Sequence, residues 1–348
     1  MNLDELRKEI DKINKEILDL VEKRAELAKG TNGFKKNVLS FGREQDIYSK
    51  LESKTLSQEQ VRAIFSEVIS ACRKAQNEIK AAYLGPEGSF TNIASIKKFG
   101  SSTTLLPQES FEDVIKTVSS KQADFGVLPV ENSIEGSVNV TLDLLQDLNS
   151  EIKILSEINL RIIQNLISNN NNFTKIYSHP QAFAQCRSWI KKNYPNSELV
   201  ETSSTSKAVE LAKAENQAAI ASSFAAKKYD VEILNENIQD NINNITRFIV
   251  FGTQSQELTE KNKTSIVFSV KHKAGALFDA IEPFKKYSIN LTKIESRPNK
   301  KTPWEYVFFV DSQGHPEQEN VRSALKEIED KCNSLIILGT YPEDSTIL

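Results

Sequence analysis

The sequence predicts a multidomain chain with an all-helical N-terminal region, a central α/β region and a C-terminal βαββαβ unit. Three observations predict it. Apolar residues before position 80 recur by threes and fours, short apolar segments alternate with helical ones from about Ala81, and a polar stretch after Gly252 precedes four strands and two helices in fixed order. At 348 residues and 39% hydrophobic content the chain is long enough for two or three domains, each with its own core.

Residues 1–80 hold no proline, and Leu3, Leu6, Ile10, Ile13, Ile17, Leu20 and Leu27 form one helical seam of the bundle or coiled-coil kind. The next step after Leu20 falls on Arg24, a charge at an apolar position that needs a partner. The same phase reaches Thr31, Phe34, Val38 and Phe41, so the helix is expected to run on through Gly30 to Gly33. A second seam of Val61, Phe65, Val68, Cys72, Ala75 and Ile79 predicts a long closing helix.

The central region reads as strand then helix: AAYLG then TNIASIKKFG, FGVLPVE then SVNVTLDLLQDL, KIYSHP then QAFAQCRSWIKK. This order predicts mainly parallel strands, whose ligands bind beyond the carboxyl ends, in loops such as GPEGSFT, ENSIEGS, SHPQ and NNITRF. The run Asn169 to Asn172 is a surface loop, and TQSQELTEKNK is a linker. Beyond it, TSIVFSV, GALFDAIEPFKKY, INLTKIES, WEYVFFVD, ENVRSALKEIEDK and SLIILGTY give the ferredoxin-like order. Domain boundaries at 1–80, 81–254 and 262–345 follow.

Composition excludes several functions. The 44 Lys and Arg against 47 Asp and Glu leave a net charge of -3, with no positive field to hold a nucleic acid. Cys72, Cys186 and Cys332 are odd in number and too far apart for zinc-ligand spacing, as expected of reduced thiols. No apolar run approaches the ~18 residues of a membrane span, and the N-terminus is charged from the start. A cytoplasmic protein without membrane or nucleic-acid partners is expected. His179 beside Pro180 invites a proton-transfer role, but a lone histidine without Cys or carboxylate at metal spacing reads as structural, and no metal or organic cofactor is implied.

Arg7, Arg24, Lys35, Arg43 and Gln76 form a first candidate set. The eleven residues from Arg24 to Lys35 make about three helical turns, so both face one way and suit a small polycarboxylate. A second candidate is GPEGSFT, a glycine-rich strand-to-helix turn able to cradle an anion at a helix N-terminus.

With these residues on the page, the N-terminal segment resembles the all-helical chorismate mutase class through LRKEIDKINKEILDLVEKR, Lys35, the pair Arg43-Glu44 and VISACRKAQ. LGPEGSFT, VLPVENSIEGSV, YSHPQAFAQC, TSSTSKAVE, AAIASSFAAKKY and NNITRFIVFG occur in the order and spacing of prephenate dehydratase. The C-terminal unit resembles an ACT regulatory domain, with GAL at 275–277, ESRP at 295–298, WEYVFFVD and LGTYP. The whole is similar to the family that joins both activities in one chain.

The resemblance implies conversion of chorismate to prephenate, then decarboxylating dehydration to phenylpyruvate in phenylalanine biosynthesis, with feedback by phenylalanine. It implies a dehydratase of two α/β subdomains around a cleft, in the manner of periplasmic binding proteins, and a homodimer or homotetramer. In the mutase, Arg7 and Arg24 would hold carboxylates, Arg7 coming from a second chain. Lys35 and Gln76 would address the ether oxygen, and Arg43 and Glu44 the ring side. A pericyclic rearrangement needs only a compact conformer and charges opposite the developing ether-oxygen charge. In the dehydratase, Thr246 within Thr246-Arg247-Phe248 would be the catalytic hydroxyl and Arg247 a carboxylate partner. Glu131, Asn132, Ser178, Gln185, Ser204 and Thr205 would line the cleft. Phenylalanine would meet Gly275, Ala276 and Leu277 and Glu295, Ser296, Arg297 and Pro298 between paired domains. The chain departs from the family at Gly30 to Gly33, at Cys72 where serine is common, and at Ala274 where proline is common. A monofunctional dehydratase with a helical dimerisation region, and a two-lobed sensor without turnover, are the alternatives.

Overall fold

The computed structural model describes residues 1–31, 37, 39–147, 151–254, 258–299 and 305–348. The helical region contains α1 (Leu3–Gly30), α2 (Phe41–Lys50) and α3 (Gln58–Gln76). Helix α1 starts at a capping box in which the Asn2 side chain and the Glu5 carboxylate each take the other's backbone N–H at 2.9 Å. It ends at Gly30, with the Thr31 amide turned back onto the Ala28 and Lys29 carbonyls; Asn32 to Lys36 and Val38, over which the helix was expected to continue, lie outside the described residues. Phe41 belongs instead to the first turn of α2, 1% exposed, where its ring meets Phe99 and Phe125 of the central region. Helix α3 stops at Gln76, three residues short of the expected Ile79, which enters the core beside the central sheet.

The central region forms two lobes. The first has β1 (Lys80–Leu84), α4 (Phe90–Phe99), β2 (Thr104–Gln108), α5 (Phe111–Ser119), β3 (Phe125–Asn132), β4 (Gly136–Ser137), α6 (Asn139–Leu145) and β5 (Lys153–Arg161). The chain then crosses to the second lobe: β6 (Asn165–Ile167), β7 (Lys175–Ser178), α7 (Pro180–Gln185), α8 (Arg187–Asn193), β8 (Glu198–Glu201), α9 (Thr205–Ala214), β9 (Ala218–Ala221), α10 (Ser223–Tyr229) and β10 (Ile233–Asn235). It returns through β11 (Ile245–Gly252), which inserts between β3 and β5 of the first sheet, ordered β2-β1-β3-β11-β5. The second sheet is ordered β10-β6-β9-β7-β8. This double crossing joins the two lobes through two segments of chain. It also makes both sheets mixed rather than mainly parallel. A strand returning from the far lobe enters from the opposite end, so β11 runs antiparallel to β3 and β5. The expected helix after KIYSHP is two, α7 and α8, broken at Cys186.

The C-terminal region is β12 (Asn262–Ser269), α11 (Ala276–Lys286), β13 (Leu291–Pro298), β14 (Tyr306–Gln313), α12 (Glu319–Lys331) and β15 (Ser334–Pro342), an antiparallel sheet ordered β13-β14-β12-β15. One face carries α11 and α12 over Ile266, Phe268 and Val310; the other seats Val267, Val307, Phe309, Leu338 and Tyr341 in one hydrophobic core with Val130, Leu142, Ile154 and Ile249 of the first lobe. Gly339 makes the close approach: a β-carbon there would stand 2.2 Å from the Ile154 carbonyl oxygen. The C-terminus then pairs with the edge of β5, the Arg161 amide donating to the Leu348 carbonyl at 3.0 Å. Arg62 of α3 holds this tail through Asp344 and Thr346.

Candidate active site

The interlobe cleft is a cavity of about 560 Å³. Four helices direct their N-terminal turns at it: α4 at Ser89, Phe90 and Thr91, α5 at Ser110 and Phe111, α7 at His179 and Gln181, α9 at Ser204 and Thr205. Ser89, Ser110 and Ser204 cap α4, α5 and α9 by accepting one backbone amide each. The first two amides of α4, α5 and α9 have no intrahelical acceptor and, with the helix dipoles, favour negative charge, whereas at α7 Pro180 carries no amide proton and His179 takes the Gln181 and Ala182 amides. Among the described lining residues there is no Lys or Arg.

Strand β11 supplies the floor. Its side chains alternate, so Thr246 and Phe248 line the cavity and Arg247 points to the other face of the sheet. Asn132 lies opposite Thr246 in the β3 register. Its Oδ1 accepts the backbone amides of Ile134 at 2.9 Å and Glu135 at 3.1 Å, which fixes the amide orientation. Its Nδ2 therefore donates to Thr246 Oγ1 at 2.9 Å and Asn244 Oδ1 at 2.8 Å. With its oxygen accepting, the Thr246 hydroxyl keeps its own proton to donate.

The lobes touch on both sides of the cavity. Glu135 accepts from Gln181 and, at 2.9 Å, from Gln185, whose Oε1 takes the Gln164 amide at 3.1 Å. Ser206 Oγ donates to the Glu87 carbonyl at 2.6 Å, and Lys228 pairs with the Glu87 carboxylate at 2.7 Å. His179 accepts the Gln181 amide, and burial lowers its pKa below the usual histidine value.

Of the residues expected here, Thr246, Phe248, Asn132, Gln185, Ser204 and Thr205 come together at the cleft. Ser178 is fully buried beneath it, donating to the Ile220 carbonyl at 2.7 Å. Arg247 and Glu131 do not face the cleft. They pair with each other at 3.1 Å on the opposite side of the sheet, as strand alternation requires of residues adjacent to Thr246 and Asn132. Ser89 belongs to the GPEGSFT turn expected to cradle an anion, whereas Ser110 and Gln164 were not anticipated; a serine just before an apolar-periodic helical segment was the available signal for Ser110.

In the helical region Arg7 and Arg43 are exposed, and Arg24 is half-buried. Seventeen residues separate Arg7 from Arg24, about 25 Å along α1, so one chain cannot bring both to one ligand. Gln76 Nε2 donates to Thr31 Oγ1 at 3.0 Å. Glu44 is buried and ion-paired with Arg73 of α3. Lys35 lies outside the described residues. In the C-terminal region Gly275, in the left-handed conformation at φ 79°, opens α11 and with Ala276 and Leu277 lines a cavity of about 250 Å³. Glu295 and Arg297 are apart from it. Glu295 accepts from Ser137 at 2.9 Å, and Arg297 grips Asp143 with both oxygens at 3.0–3.1 Å, so this side of β13 docks on the first lobe while Ser296 and Pro298 face outward.

Fold and cleft together define a two-lobed enzyme of small anionic substrates, fused to a helical domain and a ferredoxin-like regulatory domain. Family profiles agree along the chain: chorismate mutase type II matches residues 6–77, prephenate dehydratase 81–256 and the ACT domain 264–330. The bifunctional chorismate mutase/prephenate dehydratase of Aquifex aeolicus is 46% identical over 98% of both chains, and that of Pseudomonas aeruginosa is 38% identical over 97% of both. The crystal structure of a prephenate dehydratase from Arthrobacter aurescens in complex with L-Phe superposes with a TM-score of 0.71 at 30% identity, over 76% of this chain and 90% of that one. The chain belongs to the bifunctional chorismate mutase/prephenate dehydratase family, with an ACT regulatory domain.

Proposed function

We propose that the interlobe cleft binds prephenate, its two carboxylates held by the N-terminal turns of α4, α5 and α9 and its ring hydroxyl facing Thr246. The ring carboxylate departs as carbon dioxide, its bonding electrons enter the ring, and the ring carbon–oxygen bond breaks to release hydroxide, which takes a proton from solvent and leaves as water. Thr246 donates a hydrogen bond to the leaving oxygen; a threonine hydroxyl is a weak acid, so its contribution is placement and charge stabilisation. The observation that carries this reading is the Asn132 donation to Thr246 Oγ1, which points the hydroxyl proton away from Asn132. Asn132 is thus a positioning residue, and Phe248, Gln185, Ser204 and Thr205 shape the cleft. Ser178 supports it from behind.

The helical domain, residues 1–80, binds chorismate through Arg24, Lys35, Arg43 and Gln76, with Arg7 supplied by the partner subunit. Helix α1 supports this: it buries no residue, and its seam side chains from Leu3 to Leu27 are 45–67% exposed. Apolar surface of that extent fits a second copy of α1, giving a homodimer at least. Phenylalanine binds at the Gly275–Leu277 loop of the regulatory domain, residues 262–345, facing the outer side of β13 of another copy; the Arthrobacter relative's complex with L-Phe supports this. Biosynthetic relatives and three cysteines outside any disulfide support a cytoplasmic setting. The test is to give the purified chain chorismate alone and follow chorismate, prephenate and phenylpyruvate by chromatography, with and without phenylalanine. Phenylpyruvate that falls when phenylalanine is added is expected. Chorismate consumed only at its spontaneous rate would reject the mutase assignment.

A further inference from the structure

Beneath the catalytic strand, on the face away from the cleft, six charges meet. Arg247 pairs with Asp311 at 2.8 Å, Glu131 at 3.1 Å and Glu157 at 3.3 Å; Lys263 pairs with Glu157 at 2.8 Å, and Lys293 with Glu131 at 3.1 Å. All but Glu131 have side chains no more than 13% exposed. The dehydratase lobe contributes one cation, Arg247, and two anions, Glu131 and Glu157. The regulatory sheet contributes two cations, Lys263 and Lys293, and one anion, Asp311. Each side alone carries an unbalanced charge, of opposite sign, and only their union is neutral. A buried charge without a partner is costly, so the cluster has one low-energy arrangement, with the regulatory sheet seated on the lobe.

The seat is built into the register of that sheet. Lys293, Asp311, Ser265 and Gly339 stand in one cross-strand row through β13, β14, β12 and β15. Ser265 donates to Asp311 Oδ1 at 2.6 Å and so orients the carboxylate, and Gly339 admits the Ile154 backbone at the end of the row. Arg247 is the residue next to Thr246. A one-residue slip or a rotation of β11 would turn the guanidinium towards the cleft and the hydroxyl away from it.

We propose that Arg247 is a positioning residue for the dehydration step and that Asp311, from the regulatory domain, completes its hold. Three carboxylates from β3, β5 and β14 fix the guanidinium, the guanidinium fixes the register and tilt of β11, and β11 fixes the Thr246 hydroxyl. The regulatory sheet thereby contributes to the chemistry without touching substrate. This inference rests on Thr246 as the hydroxyl that meets the leaving group.

The test uses the full chain and measures kcat and KM for prephenate in Asp311→Asn, Arg247→Met, the double variant and Asp311→Glu, with Thr246→Val beside them. Chorismate consumption and the melting temperature report on folding. Expected is a fall in kcat of about tenfold or more for either single variant, KM within about twofold, and chorismate consumption unchanged. The double variant is expected to lose no more than the worse single one, because both act through one contact. Asp311→Glu is expected to restore most of the rate. Wild-type kcat in Asp311→Asn, multiplying losses in the double variant, or a parallel fall of chorismate consumption and melting temperature would each overturn the inference. Should Arg247→Met not fold, Asp311→Asn and Asp311→Glu decide it. Wild-type turnover in Thr246→Val would instead overturn the reading on which the inference rests.

Discussion

Asn132 donates its side-chain amide to the Thr246 hydroxyl oxygen at 2.9 Å, while its own carbonyl is held by two backbone amides of the following turn. The hydroxyl is an acceptor towards Asn132 and a donor towards the cleft. Replacing Asn132 by Ala frees the hydroxyl to rotate and strands Asn244 Oδ1, which loses a 2.8 Å donor. We expect kcat for prephenate to fall about ten- to a hundredfold, with the fold retained. Steady-state kinetics beside a thermal melt checks this; equal loss of melting temperature and rate would contradict it.

Gly339 has no room for a methyl group, because the Ile154 carbonyl oxygen and amide nitrogen would lie 2.2 and 2.6 Å from it. Backbone cannot rotate out of the way as a side chain does. Gly339→Ala is expected to destabilise the chain by about 1–3 kcal/mol or more and to loosen the seat of the regulatory sheet, measured by urea denaturation. An unchanged midpoint would show that the sheet is not packed on the lobe as described.

The exposed seam of α1 predicts self-association through that helix. Ile10→Glu and Ile13→Glu place charge in the stripe at positions that are 55% and 51% exposed. The variants are expected to shift the mass in sedimentation or light scattering to that of a smaller species and to reduce mutase turnover, since Arg7 would no longer reach a second chain. Unchanged mass would remove the dimer from the account.

Burial lowers the His179 pKa, and Glu135 and Glu201 offset this only in part. The unfolded chain therefore binds the proton more tightly than the folded one. The stability involved is intact above the unfolded value near 6.5 and is lost as pH falls below it. His315 is lowered in the same direction by its own burial. His179→Asn keeps an acceptor for the Gln181 amide and has no proton to bind, so its melting temperature should fall less between pH 7.5 and 5.5 than that of the parent chain. An equal fall would assign the acid sensitivity elsewhere.

Much of this was legible in the residues. The periodicity gave α1 and α3, the positive φ at Gly275 follows from a turn that needs glycine, and ordered motifs brought Thr246, Asn132, Gln185 and Ser204 to one cleft. Arg247 and Glu131 were misplaced because their motifs were taken as contiguous sets, whereas a strand sends neighbouring side chains to opposite faces. The period of two was there to be applied. Glu44 could not be placed in advance, since its partner Arg73 is on another helix, and nothing local announces a buried pair. Asp311 was equally hidden, because its role exists only across a domain interface. The mixed direction of the sheets depends on where the chain re-enters them, which strand propensity does not encode.

The most direct measurement gives chorismate to the parent chain and to Thr246→Val and follows all three compounds over time. The account predicts that the parent forms phenylpyruvate and that Thr246→Val consumes chorismate at the same rate but accumulates prephenate, its dehydratase rate down about a hundredfold or more. Phenylpyruvate formed by Thr246→Val at the parent's rate would contradict it.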